Sequence, residues 1–143
     1  SIARDGEGAN CLLEVVVKGT ENDSDAIKIA KQITNSSLVK TAIHGCDPNW
    51  GRILSAAGNA GIGFNINKVD LMIGNYVILE KGQLNEYDQE QIASYLKLKM
   101  NSDYLEGDIV QIRMNFNQGN GSGTSWGCDL SKKYVEINSE YTT

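Results

Sequence analysis

The chain has 143 residues, 41% hydrophobic and 22% charged, with one proline, so it can bury the core of one ordinary domain or two small subdomains and does not read as a disordered tail. Its formal net charge is −5 with 13 basic residues and no run of Lys or Arg, which argues against a nucleic-acid surface or a polybasic membrane anchor. No apolar stretch approaches the length of a membrane span, and no secretory signal pattern is visible.

In chain order, "CLLEVVVKG" is a short Leu/Val run that predicts a buried strand ending at Gly19. "ENDSDAIKIAKQITNSS" predicts a helix capped by Ser24 or Asp23, with Ala26, Ile29, Ala30 and Ile33 at helical spacing. "LVKTAI" reads as a second strand. Pro48 and Asn49 open a helix of small residues that Gly61 closes. "VDLMIGNYVILEKG" predicts a hairpin, because Gly74-Asn75 between two β-branched runs can supply the positive φ of a tight turn. Asp88 caps a helix with Ile92, Tyr95, Leu96 and Met100 on one face.

"DIVQIRMNF" alternates, with Ile112, Met114 and Phe116 facing one way and Gln111, Arg113 and Asn115 the other. A glycine-rich loop, Gly119 to Gly123, leads to the strands "TSWGCDL" and "KYVEIN". The order β-α-β-α-β-β-α-β-β-β suggests an α+β fold, with the stretch from Gly61 to Asn67 as the boundary between two subdomains.

Several groups could carry chemistry. Asp5 and Glu7 in "ARDGEGAN" fit a solvated turn, part of a metal site, or a carboxylate presented to a cationic substrate by a loop that lets the ligand come close. Residue types alone leave these open. Ser1 would suit an N-terminal nucleophile with its own amine as base. His44 and Cys46 in "HGCDPNW" invite a Cys-His couple or a pair of metal ligands, against the plainer reading of a loop packed on Trp50. "GNGSGT" precedes a strand rather than a helix, so it lacks the helix N-terminus that holds phosphate. Cys11, Cys46 and Cys128 are far apart and odd in number, with no C-x-x-C pair. That suggests neither a zinc ribbon nor a disulfide framework and makes a reducing cytosol the simplest compartment.

Together, "RDGEGA" at 4–9, "SLVKTAIHGCDPNWGRI" at 37–53, "TSWGCDL" at 124–130 and "YVEINSEYTT" at 134–143 resemble the C-terminal part of the glutamate N-acetyltransferase family, also called ornithine acetyltransferase or ArgJ. The landmarks stand in the family's order and cover essentially all 143 residues. Asn10 and Cys11 depart from the threonine and lysine the family usually carries after "DGEGA".

The resemblance implies an arginine-biosynthesis acetyltransferase that moves an acetyl group from N-acetylornithine to glutamate through an acetyl-threonine intermediate. The family's precursor cuts itself in two and exposes that threonine at a new N-terminus. The implied fold is α+β: the C-terminal portion of a layered αββα-type (DmpA/ArgJ-like) enzyme over residues 1–62, and a small α+β subdomain over 63–143 whose tail returns to the active site. The family's substrate-binding glutamate falls on Glu7, and its asparagine and threonine on Asn138 and Thr143; Asp5 takes a structural role.

By the same resemblance the nucleophile and oxyanion hole lie upstream of the family's "DGEGA", so this chain alone is expected to be inactive and Ser1 is not the nucleophile. The implied partners are N-acetylornithine, glutamate, the upstream segment and the α chain of the same precursor, in a cytoplasmic homo-oligomer of processed heterodimers, with no nucleic acid and no membrane. No metal or cofactor is expected, although some members accept acetyl-CoA as donor. Two readings compete: a stand-alone small-molecule binding or interaction module without catalysis, and a related self-processing aminopeptidase.

Overall fold

The computed structural model describes residues 12–101 and 109–128. Strand β1 (Leu12–Thr20) leads to helix α1 (Asp23–Thr34), then to α2 (Ser37–His44) and α3 (Trp50–Gly58). A 3-10 turn (Ile66–Lys68) precedes β2 (Asp70–Ile73), β3 (Tyr76–Glu80) and the two-residue β4 (Gln83–Leu84). Helix α4 (Gln89–Asn101), β5 (Ile109–Asn115) and β6 (Gly121–Cys128) follow. The six strands form one mixed sheet in the order β4-β3-β2-β5-β1-β6. Only β1 and β5 run parallel; the other pairs are antiparallel. Strands from both sides of the Gly61–Asn67 stretch therefore share the sheet, and the fold is α+β.

Period-2 patterning builds the sheet core. Leu13, Val15 and Val17 of β1 pair in register with Val110, Ile112 and Met114 of β5, and all six are buried. They join Ile29 and Ile33 of α1, Ile43 of α2, Ile53 of α3, and Ile92 and Leu96 of α4 in one apolar cluster. The alternate residues, among them Glu14, Val16, Gln111 and Arg113, lie on the opposite face, half-buried. The hairpin forms where expected: Gly74 has φ +57° and opens the turn between β2 and β3. A Cβ there would lie 2.7 Å from the Tyr95 ring, so packing as well as φ requires glycine. Asp88 caps α4 as expected, its Oδ1 accepting from the backbone N–H of Glu90 (2.9 Å) and Gln91 (3.2 Å).

Four local expectations are corrected. "LVKTAI" is helix α2, not a strand. Val39, Ala42 and Ile43 make a buried stripe at i, i+3, i+4, and the Ser36 hydroxyl caps the helix by accepting from Val39 N–H at 3.2 Å. A six-residue apolar run does not by itself distinguish strand from helix. The cap of α1 is Asn22, whose Oδ1 accepts from Asp25 N–H at 2.8 Å, while Asp23 and Asp25 occupy the first turn and favour its positive dipole end. Helix α3 stops at Gly58 with Asn59 as its C-cap; Gly61, at φ +75°, lies beyond it. Strand β6 begins at Gly121, inside the expected glycine loop. "KYVEIN" lies outside the described residues.

Candidate functional site

Glu7, Asn138 and Thr143, with Asp5 and Ser1, lie outside the described residues, so the site is built from the elements that carry them into the sheet. Strand β1 begins at Leu12 and β6 ends at Cys128, and these two residues are paired. The segment bearing Glu7 and the tail bearing Asn138 and Thr143 thus join the sheet at one end of one strand pair. Five peptide steps separate Glu7 from Leu12, which limits their Cα separation to about 18 Å.

At this end a polar network crosses three strands on the open face. Glu14 Oε1 accepts from Gln111 Nε2 at 2.6 Å, and its Oε2 accepts from the Trp126 indole Nε1 at 2.7 Å. Register explains the meeting, because Glu14 pairs with Gln111 on one side and Trp126 on the other. Hydrogen bonds to an ionised acceptor are the strong kind, and together they fix the carboxylate. Trp126 keeps 56% of its surface exposed, a large aromatic face at the edge of the sheet. Sequence reasoning missed this group; its one signal is that Glu14 is the only acidic residue in the apolar run "CLLEVVVKG".

On the helix face of the same end, Thr34 is buried and its Oγ1 lies 2.9 Å from Ser125 Oγ. A Cβ at Gly127 would lie 3.1 Å from the Thr34 carbonyl oxygen and 3.7 Å from Lys40 Cε. Small residues at every second position of β6 (Gly121, Gly123, Ser125, Gly127) let α1 approach the strand backbone. A Cβ at Gly123 would lie 2.9 Å from Ile27 N, and one at Gly119 would lie 2.5 Å from Thr20 O. The glycine-rich stretch is a packing device, and it runs directly into strand β6.

The "HGCDPNW" stretch joins α2 to α3. Cys46 sits at φ +59°, and both Cys46 and Trp50 pack on the apolar cluster. Burial pushes the Cys46 thiol up, against a smaller downward pull from Lys97, so the thiol stays protonated near neutrality and is a poor nucleophile. Asn49 caps α3, its Oδ1 accepting from Arg52 N–H at 3.1 Å, while its Nδ2 donates to Asp47 Oδ2 at 3.1 Å. Arg52 Nη1 donates to Leu38 O at 3.0 Å and ties α3 back to α2. The Asp-Pro-Asn-Trp signature therefore sets the angle between two helices. No group of three or more His, Cys, Asp or Glu among the described residues is arranged to hold a metal ion. No helix among them is long and apolar enough to cross a membrane.

A cleft of about 360 Å³ opens at the opposite end of β1, between Thr20, Asp25, Phe64, Phe116 and Gln118. Its lining includes none of the predicted substrate-binding residues.

A model of the ArgJ family matches residues 1–143. The chain is 66% identical over all 143 residues to the arginine biosynthesis bifunctional protein ArgJ of Prochlorococcus marinus subsp. pastoris, of which it spans 36%. It is 50% identical to the protein of that name from Synechocystis sp., spanning 35% of it, and 48% identical to the chloroplastic one from Ricinus communis, spanning 30%. Among solved structures it is similar to the crystal structure of the arginine biosynthesis bifunctional protein ArgJ from Bacillus halodurans. The identity is 47% and the TM-score 0.87, over 98% of this chain and 62% of that one. The chain spans about a third of the length of the curated relatives it matches.

Proposed function

The chain belongs to the ArgJ family, and on that footing we propose that it is part of an acetyltransferase of arginine biosynthesis that moves an acetyl group from N-acetylornithine to glutamate through an acetyl-threonine intermediate. The observation that carries this reading is the family match along all 143 residues. In this proposal the nucleophilic threonine and the oxyanion hole belong to residues outside this chain, which contributes one wall of the substrate pocket. Glu7 grips an ammonium group of the ornithine-type substrate, and Asn138 and Thr143 bind its carboxylate or amide end. Joining of both segments to the Leu12–Cys128 end of the sheet supports that grouping. The working enzyme is proposed as a cytoplasmic homo-oligomer of processed heterodimers with no bound metal or cofactor.

Acetyl transfer from N-acetylornithine to glutamate should be measured with the full-length, processed protein and with the 143-residue chain alone. The proposal expects turnover from the first and none from the second. Turnover by the pure 143-residue chain would remove the claim that its nucleophile lies elsewhere, and an inert full-length protein would favour a non-catalytic binding module. In the full-length protein, Glu7→Gln should lower kcat/KM for N-acetylornithine by an amount equal to about 1.5–3 kcal/mol, the worth of a hydrogen bond to a charged group. Unchanged kinetics for both substrates would take Glu7 out of the pocket.

A further inference from the structure

The apolar residues of α1, α2, α3 and α4 all join the cluster on one side of the sheet. The strands nevertheless carry apolar side chains on the other side as well. Val15, Val16 and Val17 are consecutive in β1, so Val16 lies on the open face, as does Ile109 at the start of β5, and both are half-buried. β1 and β5 run parallel, and parallel pairs occur almost only in sheets covered on both faces. The register sets Val16, Arg113 and Met72 abreast across β1, β5 and β2, with Lys18, Asn115 and Asp70 as the next row. A cleft of about 400 Å³ lies over these two rows.

Arg113 stands at the centre of that face with a neutral partner only. Its Nη2 donates to Gly74 O at 3.2 Å, and its Nε is buried with no hydrogen-bond partner among the described residues. The carboxylates of β1 and β2 on the same face are engaged elsewhere. Glu14 accepts from Gln111 and Trp126, while Asp70 accepts from the backbone N–H of Lys81 at 2.8 Å and from Asn117 Nδ2 at 3.0 Å. Lys18, in the lining of the cleft, adds a second positive charge. Buried donors in folded proteins almost always find an acceptor, and a buried cation is tolerated when an anion pairs with it. The ArgJ proteins matched above are about three times as long as this chain, which leaves ample polypeptide for a second layer over the open face.

We infer that the open face is an internal interface of the full-length protein, and that the segment covering it, outside these 143 residues, presents a carboxylate to Arg113. The inference goes beyond the acetyl-transfer reading and does not depend on it. Arginine suits the role because its planar fork offers parallel N–H donors to the two oxygens of a carboxylate. Val16 and Met72 flank the guanidinium in the register, so a covered pair would be held among apolar side chains where a missing partner is costly.

Thermal unfolding of the full-length, processed protein as a function of pH tests this, with wild type, Arg113→Gln and Arg113→Lys compared. Glutamine keeps a donor and removes the charge. Near neutral pH, Arg113→Gln should lower Tm by ~5 °C, because it strands an ionised carboxylate in the interface, while Arg113→Lys should keep most of the wild-type Tm. The stranded carboxylate has a raised pKa and takes up a proton as pH falls, so the Tm deficit of Arg113→Gln should shrink by about half between pH 7 and 5. No deficit, or one that is constant with pH, fits a neutral acceptor or simple packing and overturns the inference. The deficit should persist when Glu14→Gln or Asp70→Asn is added to both proteins; its loss would assign the carboxylate to this chain and overturn the inference too. Carbodiimide crosslinking of Arg113→Lys gives a readout that does not require Arg113→Gln to fold. Peptide mass spectrometry should join the β5 peptide to an aspartate or glutamate outside these 143 residues, and a join within them, or none, counts against the inference. Acetyl-transfer assays on the same samples separate the two claims. A wild type with the pH-dependent deficit but no acetyl transfer keeps the interface and overturns the acetyl-transfer reading, and an active wild type with a pH-independent deficit does the reverse.

Discussion

The two faces of the sheet are built from the same strands and differ in almost every other respect. On the helix face, Leu13, Val15, Val17, Val110, Ile112 and Met114 are shielded from water by α1 and the helices packed with it. On the open face, the intervening residues hold polar side chains in fixed places: Glu14 between Gln111 and Trp126, and Arg113 against Gly74 O. Arg113 Nε is buried there with no hydrogen-bond partner among the described residues. One face stores stability as buried apolar area; the other arranges donors and acceptors, which add little net stability but fix direction. A strand that alternates cleanly can do both at once.

Substitutions that respect or violate this division sharpen the contrast. The largest effect is expected from Phe116→Ala. Its ring is 1% exposed and meets Phe64 edge-on at 4.9 Å, so truncation should cost about 3–5 kcal/mol in urea unfolding. A cost below about 1 kcal/mol would mean the helix face is not the stabilising one. Next, Gly123→Ala on the helix face of β6 places a methyl group 2.6 Å from Ile27 Cγ1 and should cost about 1–3 kcal/mol, whereas Thr124→Ala beside it on the other face should fall within about 0.5 kcal/mol. Equal costs at 123 and 124 would erase the distinction between faces.

Trp126→Phe removes the indole donor to Glu14 but, with Trp126 more than half exposed, water replaces it; about 0.5–1 kcal/mol is expected. A loss several times larger would show that the open-face network is a stability element after all. The smallest effect concerns pH. The folded thiol of Cys46 titrates above its unfolded value because burial opposes the thiolate. Its contribution to stability is therefore complete below the unfolded thiol pKa and is lost as pH rises through the folded one. Iodoacetamide labelling of the Cys46 peptide, followed by mass spectrometry, should show an alkaline-shifted midpoint relative to the urea-unfolded chain; a midpoint at or below the unfolded one would contradict it.

Legibility followed the length of each periodic signal. Ile112, Met114 and Phe116 declared the buried side of β5 because seven residues of strict alternation admit one register. The hairpin was equally plain, since Gly74 supplies a conformation other residues resist. "LVKTAI" misled because its stripe of Val39, Ala42 and Ile43 spans barely one turn, and only docking on α1 and α3 chose helix over strand. The glycines of "GNGSGT" could not be interpreted alone: their purpose is the approach of α1, an element about a hundred residues earlier in the chain. For the site, the family resemblance singled out Glu7, Asn138 and Thr143, while the meeting of Glu14, Gln111 and Trp126 joins three residues far apart in the chain.

By itself, then, the sequence determined the family, the α+β class and the buried side of the alternating strand, because these depend on residue order and short-range period. Tertiary structure decided which chain segments share an end of the sheet and which side chains meet there. Strand pairing joins residues 14, 111 and 126 through backbone hydrogen bonds that any residue can make, so their meeting leaves no trace in the local pattern of the chain.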